Sequence, residues 1–363
     1  MNENQSLREQ QEAARREILA LKEKTPTSRV LNLFSRWFPK SILEHGLFYW
    51  LLQIILFNAV YFLPGLLISL TLGEMGMWAG KISAWVVCLE MAIYGFIQAH
   101  SVSRSVFNDI ANYIIRKISD PKDLSALVVF CSSSAEYFYA FVVSGTILWS
   151  VWQFSTWLIV QHTSIGFGLG YMAVLAGCLI GVSLHTLFWL ILLSIRLKTL
   201  NYDLNSFTPA NSEVISRLTN ILNKIIYFTG VYFAILTLLV ASGLLGSIIN
   251  NAVALPFTIL GWIIIVVQFL VHRSTINGIV ERERWESLNK LQMQMNTIQA
   301  TEDLSNKDVS ERLLRLADLH ERIRSNRAGG FDFKSLLSLF SQLMLPLLGL
   351  LLGNFDKVMA LFK

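Results

Sequence analysis

Charged residues are scarce in this chain. Asp, Glu, Lys and Arg make up 15% of its 363 residues, whereas 53% are hydrophobic and the mean hydropathy is +0.50. A soluble domain draws roughly a quarter of its residues from these four types, because its surface must be hydrated. The composition therefore excludes an ordinary water-soluble protein. It also excludes intrinsic disorder, since such a chain has ample apolar surface to bury. It predicts an integral membrane protein.

Cysteine and the common catalytic motifs are also missing or rare. The three cysteines, Cys88, Cys131 and Cys178, lie in separate apolar stretches without a histidine at ligand spacing, which argues against a disulfide scaffold and a zinc site. The sequence contains no phosphate-binding loop, no Gly-x-Ser-x-Gly and no His-Glu-x-x-His. We therefore expect a protein that is not an enzyme and needs no cofactor or metal.

Long hydrophobic runs dominate what is present. A membrane-spanning helix needs roughly 20 apolar residues. The chain offers six such runs, which we expect to form an all-α, polytopic membrane domain of three helical hairpins, and they cover 47–72, 82–99, 126–160, 167–195, 221–249 and 252–271.

The distribution of basic residues predicts the orientation of these helices. Of the 30 lysines and arginines, 27 lie before the first run or in 101–124, 196–224 and 273–334. The positive-inside rule then places the N-terminus and the C-terminal region in the cytoplasm, as in a multi-pass protein of a bacterial inner membrane. The net charge of +5 thus reflects topology and contact with the lipid bilayer, and we expect no nucleic-acid partner.

The polar flanks divide the chain into four parts. Residues 1–44 contain an amphipathic helix, 45–280 form the membrane domain, 281–330 form a helical hairpin, and 331–363 form a membrane-associated segment. Within the last part, 335–353 is short for a span and contains Pro346, which favours a re-entrant or interfacial segment. The hairpin helices either pack within one chain or join several chains, so a homo-oligomer or a protein partner is expected through the cytoplasmic helices.

A possible repeat follows the even-numbered runs. Segments 104–110, 198–204 and 273–279 each begin with a basic residue and a hydroxyl residue and close on an aliphatic residue. One interpretation is a unit of span, turn, span and helical extension used three times, as internal repeats occur in transport folds. The other is that each helix end simply attracts a cation.

Few ionisable residues lie inside the predicted spans. Each costs several kcal/mol in hydrocarbon, on the order of 2.5 to 3.5 even on an insertion scale, and is therefore a candidate functional group. The candidates are Glu90, Glu136 and His185. The same spans also contain uncharged hydrogen-bonding side chains, namely Gln53, Asn58, Gln153 and Gln268. Glu136 and His185 are expected at similar depth on neighbouring helices, where a carboxylate and an imidazole either relay a proton or only fix helix packing.

One outer turn carries a distinctive string, made of Thr163, Ser164, Ile165, Gly166, Phe167 and Gly168. It resembles the selectivity filter of potassium channels, whose pattern is Thr-Thr/Ser-Val/Ile-Gly-Tyr/Phe-Gly. The resemblance implies successive backbone carbonyls that replace the hydration shell of an ion. Leu169 stands where that family usually has an acidic residue or Asn.

Two functions follow from these features. The first is a channel or transporter for an ion or small solute, in which the cytoplasmic helices serve assembly or gating. The alternative is a non-conducting membrane-anchored interaction or signalling protein, for example a stress or defence component.

Overall fold

A computed structural model describes residues 3–35, 46–74, 82–134, 167–204, 209, 212–241, 251–302, 306–325 and 344. This part of the chain is all-helical and holds no β-sheet; an isolated antiparallel bridge joins Ile118 to Tyr202. In chain order its helices are α1 (Glu3–Lys22), α2 (Pro26–Ser35), α3 (Gly46–Thr71), α4 (Ile82–Asp109), α5 (Pro121–Ser133), α6 (Phe167–Lys198), α7 (Glu213–Ala241), α8 (Asn251–Thr301) and α9 (Lys307–Ser325).

Three helices in the described residues are long and apolar enough to cross a membrane. The segments that qualify are Ile54–Thr71 in α3, Gly170–Lys198 in α6 and Gly261–Thr301 in α8. Each carries large apolar side chains that no part of the described protein covers, such as Leu67, Leu192 and Ile263. Helices that contact lipid expose apolar side chains of this kind. Six spans in three hairpins remain a prediction, because most of the third predicted span, from 135 to 160, lies outside the described residues.

Helix α6 is the centre of the described membrane-side packing. It makes extensive contacts with α4 and with α3, whereas α3 touches α4 only slightly, so α3 rests mainly on a helix other than its predicted hairpin partner. Phe57 of α3 meets Phe96 of α4 edge-on, with 5.5 Å between ring centroids. Gly65 and Gly168 let the backbones of α3 and α6 approach closely, because a side chain at either position would meet the opposite helix.

The largest apolar core lies at the other end of α6, among the segments predicted to be cytoplasmic. It joins α1 and α5 to the last turns of α4 and α6, the first turns of α7, and α8 near Ile279. Phe107 and Trp189 stack at its centre with 5.1 Å between ring centroids. The predicted apolar stripe of α1 is buried here at Ala14, Ile18 and Leu21. Helix α1 therefore packs against protein.

The first part of the third predicted span takes part in the same core. Residues 126–133 belong to α5, which begins earlier, at Pro121, and is capped by the Asp120 carboxylate accepting a hydrogen bond from the amide of Lys122 at 2.8 Å. Leu124, Leu127 and Cys131 form its buried face. This face packs against α1 and the core around it.

The three repeat-like segments do not share one conformation. Segment 104–110 is helical and runs into a π-helical turn, Ile110–Ile114, and 273–279 lies inside α8. After Lys198, by contrast, the chain leaves the helix and forms the bridge at Tyr202. A helical extension in all three copies was therefore a wrong expectation. Helix α6 ends at Lys198 because the Tyr202 hydroxyl and the Arg282 guanidinium donate hydrogen bonds to its last carbonyls.

The sixth predicted span and the first hairpin helix form one continuous helix of 51 residues, α8. The boundary proposed at 280 thus falls inside it. Helix α9 folds back antiparallel to α8 within the same chain, and Arg284 donates hydrogen bonds to the carbonyls of Ile323 and Arg324. Asn306 caps α9 by accepting a hydrogen bond from the amide of Asp308 at 3.0 Å.

Candidate functional site

A row of polar side chains runs along the buried face of α8. Gln268, His272 and Thr275 follow each other at spacings of four and three residues, so they share one side of the helix. All three are buried, at 1%, 3% and 1% exposure. The row faces α6 and α7: Thr275 bonds to Ser194 of α6, and His272 approaches the backbone of Leu222 of α7.

The hydroxyl groups in this region are satisfied by their own helices. Ser183, Thr186 and Thr229 each donate a hydrogen bond to the carbonyl four residues earlier, at 2.7 to 3.0 Å. The Thr275 hydroxyl shares its one hydrogen between the Val271 carbonyl of its own helix, at 2.9 Å, and the Ser194 carbonyl, at 3.1 Å. Serine and threonine are inexpensive inside an apolar bundle for this reason, because the helix backbone supplies an acceptor. These hydroxyls therefore need no ligand or water.

The amide and imidazole groups differ from the hydroxyls. Among the described residues, neither amide atom of Gln268 has a hydrogen-bond partner, and neither ring nitrogen of His272 reaches hydrogen-bonding geometry. His185 is buried on α6, and its Nδ1 atom also has no partner within this part of the chain. Leaving such groups unpaired in an apolar interior costs about 1 to 3 kcal/mol each. The arrangement suits a small polar guest or ordered water beside α6, α7 and α8.

A small groove lies between α6 and α7. It encloses about 20 Å³ between Ser183 and Leu187 of α6 and Thr229 and Tyr232 of α7. Its walls are mostly apolar, and the hydroxyls of Ser183 and Thr229 add polar points. Two glycines shape the surroundings, since Gly95 accepts the ring of Tyr232 and Gly261 the ring of Phe233. The enclosed space is about enough for one water molecule.

The inner end of the row is closed by packing and by hydrogen bonds. Ile279, one turn beyond Thr275, is 1% exposed and belongs to the large core. Arg282 follows on the same face and donates to the carbonyls of Lys198 and Leu200. The buried Tyr202 hydroxyl donates to the Leu197 carbonyl at 2.9 Å, and burial raises the pKa of this phenol. The polar row therefore ends at an apolar seal.

The residues singled out in the sequence are distributed as follows. His185 lies in the interior of α6, and Glu90 is half-buried on α4 without a hydrogen bond or ion pair to the described residues. Glu136 lies outside the described residues, so its pairing with His185 stays a prediction. Gln268 was visible in the sequence as a polar group within a span. His272 was missed because it directly follows the predicted end of that span, although its four-residue spacing from Gln268 was the available signal.

The filter-like string is described only at its last two residues. Phe167 and Gly168 form the first turn of α6, and both amides donate to the carboxylate of Glu74, at 3.0 and 3.3 Å. An acidic group is favourable at a helix N-terminus because it satisfies unpaired amides and the helix dipole. Thr163 to Gly166 lie outside the described residues, so the resemblance to a selectivity filter remains a prediction.

The described residues contain no group of three or more His, Cys, Asp or Glu side chains arranged to hold a metal ion. No protein-family model, curated protein or solved structure matches the chain.

Proposed function

We propose that this chain is a multi-pass membrane protein that conducts or transports an ion or small solute along a polar path beside α6, α7 and α8. The observation that carries the proposal is the pair Gln268 and His272, which are buried on a candidate span and whose side-chain atoms have no hydrogen-bond partner among the described residues. Polar groups at membrane depth are expensive and normally face a water-filled cavity or a substrate. The hydroxyls nearby, which are satisfied by their own helices, do not require this explanation.

The remaining parts of the chain serve this path in the proposal. The six predicted spans enclose it in a cytoplasmic membrane, with the N-terminus and the α8–α9 hairpin inside the cell. The seal at Ile279 keeps it closed on the cytoplasmic side, because an apolar constriction excludes water and ions. Opening requires α8 to move relative to α6, and α9 is attached to α8 through Arg284, so the hairpin is placed to influence that movement.

Flux into proteoliposomes tests the proposal. The purified full-length chain is reconstituted, and uptake of potassium, protons, chloride and a small neutral solute is compared with that into empty vesicles. Gln268→Leu and His272→Phe should each reduce the flux of the conducted species by about tenfold, equivalent to about 1.4 kcal/mol in the barrier. Gln294→Leu, at an exposed position of the same helix, should leave it unchanged. Wild-type flux in both site variants, or no flux of any species, contradicts the proposal.

The same flux measurement tests two carboxylates, Glu90 and Glu136. Glu90→Gln and Glu136→Gln should abolish flux without lowering expression if the path passes these positions, as their placement in predicted spans suggests. For the filter-like string, a potassium-selective current that survives Gly166→Ala would exclude Thr163 to Gly168 as the conducting element.

A second function is favoured by a different observation. The α8–α9 hairpin exposes three large apolar side chains, Trp285, Met293 and Leu314, at 60%, 70% and 65%. Exposed aromatic and methionine side chains are typical of binding surfaces. A non-conducting interaction protein would use this hairpin to bind a partner. Replacing Trp285 and Met293 by serine should then abolish co-purification of that partner, whereas Gln268→Leu should not; the opposite pattern favours transport.

A further inference from the structure

The exposed apolar faces of α6 and α8 end near Lys198 and Ser274, respectively. On α6, Leu192 and Ile195 are exposed, and Lys198 follows one turn later. On α8, Val267 and Leu270 are exposed, and Ser274 follows one turn later. The two helices lie side by side here, joined by the hydrogen bond from Thr275 to Ser194. The change from exposed apolar to exposed polar residues marks the level where hydrocarbon would meet headgroups.

The side chain of Lys198 takes an unusual course at this level. Its stem crosses α8 at Gly278, where an added Cβ would lie 2.6 Å from the Lys198 Cε atom. Its ammonium group then donates a hydrogen bond to the hydroxyl of Ser274 at 3.0 Å. Ser274 lies one turn from Gly278 toward the apolar face. The glycine thus gives the lysine room to place its charge on the side nearer the hydrocarbon.

This direction is the opposite of the usual one. A lysine at the edge of a membrane normally extends its ammonium group toward bulk water. Lys198 makes no ion pair with a carboxylate of the described residues. Two other cations of this region are engaged: Lys224 pairs with Asp109 at 2.6 Å, and Arg282 donates to backbone carbonyls. Among the described residues, Lys198 is therefore a cation without a counter-charge, and it is held beside an exposed hydroxyl.

We propose that Lys198 and Ser274 bind the phosphate of an anionic phospholipid at the cytoplasmic surface of the bilayer. The ammonium group and the hydroxyl together supply the charge and the hydrogen-bond donors that a phosphate takes. The acyl chains then lie along the exposed face that includes Ile195 and Leu270. The inference rests on the membrane placement of α6 and α8 in the proposed function, and it does not require that the protein conducts anything.

Native mass spectrometry tests this site on the full-length protein. Protein from vesicles of phosphatidylglycerol and phosphatidylcholine is released in detergent, and the lipids that remain bound are counted. Wild type should retain phosphatidylglycerol preferentially. Lys198→Gln should lower its retention about fivefold, Ser274→Ala less, and Gly278→Val should resemble Lys198→Gln by displacing the stem. Lys290→Gln, at an exposed position further along α8, is the matched control and should retain the lipid.

Two further measurements distinguish loss of the lipid site from loss of the fold and from binding of free phosphate. Lys198→Arg keeps the charge and should retain the lipid, which distinguishes loss of the site from loss of the fold. Inorganic phosphate at millimolar concentration should not displace the lipid. Equal retention of both lipids, wild-type retention in Lys198→Gln, or displacement by free phosphate overturns the proposal. Carbonate extraction of each variant reports membrane insertion separately, so failure of the membrane placement itself is distinguishable.

Discussion

The hydroxyl of Thr275 donates a hydrogen bond to the backbone carbonyl of Ser194, and the two atoms are 3.1 Å apart. The bond joins α8 to α6, which are two of the three described helices able to cross a membrane. It also lies between the polar pair Gln268 and His272 on one side and the apolar seal at Ile279 on the other. The contact thus fixes the helices where the proposed path closes.

Replacing Thr275 by valine removes this hydrogen bond while keeping the shape of the side chain. We expect the variant to lose about 0.5 to 1.5 kcal/mol of unfolding free energy in detergent titrations, the usual range for one hydrogen bond and for polar contacts between membrane helices. Thr297→Val is the matched control, because Thr297 is exposed on the same helix and donates only to Met293 of its own backbone. Equal stability of the two variants would show that the bond is not important.

The contact between α3 and α6 depends on a glycine at position 168. A Cβ atom there would collide with the Ser69 hydroxyl and with the Gly65 carbonyl, which is backbone and has little freedom to move. Gly168→Ala should therefore destabilise the protein by about 1 to 3 kcal/mol, measured as a lower midpoint of thermal unfolding. At Gly170, two residues along the same helix, no atom lies within 4 Å of the added Cβ, so Gly170→Ala should be neutral or slightly stabilising.

Arg284 should determine how firmly α9 is attached. Its guanidinium donates to the Ile323 carbonyl at 3.2 Å and to the Arg324 carbonyl at 2.6 Å, and it pairs with Glu281 at 3.0 Å. Arg284→Met should raise amide hydrogen exchange in 307–325 about tenfold, since both carbonyls lose their donor. Arg315→Met, which removes only an exposed pair with Glu311, should leave exchange within about twofold of wild type.

Acidification should loosen the contact of α2 with α4 through His100. Its Nδ1 atom and the Ser28 hydroxyl are 3.4 Å apart, just beyond the predicted end of the second span. Burial lowers the pKa of His100 to about 4, and Arg104 acts in the same direction. Between pH 6.5 and about 4 the unfolded chain therefore binds more protons than the folded one, so stability falls as the pH falls.

The measurement is unfolding free energy at pH 7.5 and pH 5 for wild type and His100→Gln. Wild type should lose about 2 kcal/mol more than the variant between these values, because the variant lacks this imidazole and all other titratable groups are common to both proteins. An identical loss in both proteins would assign the pH dependence to other groups.

Sequence patterns located the apolar surfaces of this protein well. The amphipathic helix predicted near the N-terminus is α1, and its apolar positions Ala14, Ile18 and Leu21 are buried. Each of the six predicted spans is helical over nearly all of its described residues. Periodicity succeeds here because it depends only on which face of a helix is apolar, which is a local property.

Part of the candidate site was also visible in advance. His185 and Gln268 stood out because polar groups are rare in apolar runs. His272 did not, since hydropathy alone ended the span at the preceding residue, whereas the actual helix continues without a break to Thr301. Composition shows where apolar residues give way to polar ones. It does not show where the helix ends, because α8 continues past that point.

The sequence by itself determined an all-helical protein whose apolar helices are flanked by an amphipathic helix on each side. Only the tertiary structure decided which surface covers each apolar face: α1 packs on α5, α3 packs mainly on α6, and α6 ends at Lys198 where other residues satisfy its carbonyls. The physical reason is that lipid and a protein core are equally apolar. The sequence of one helix therefore shows that its apolar face will be covered, but it does not show what covers it. The partner that buries it depends on the shapes of distant segments, such as the space that Gly278 leaves for Lys198.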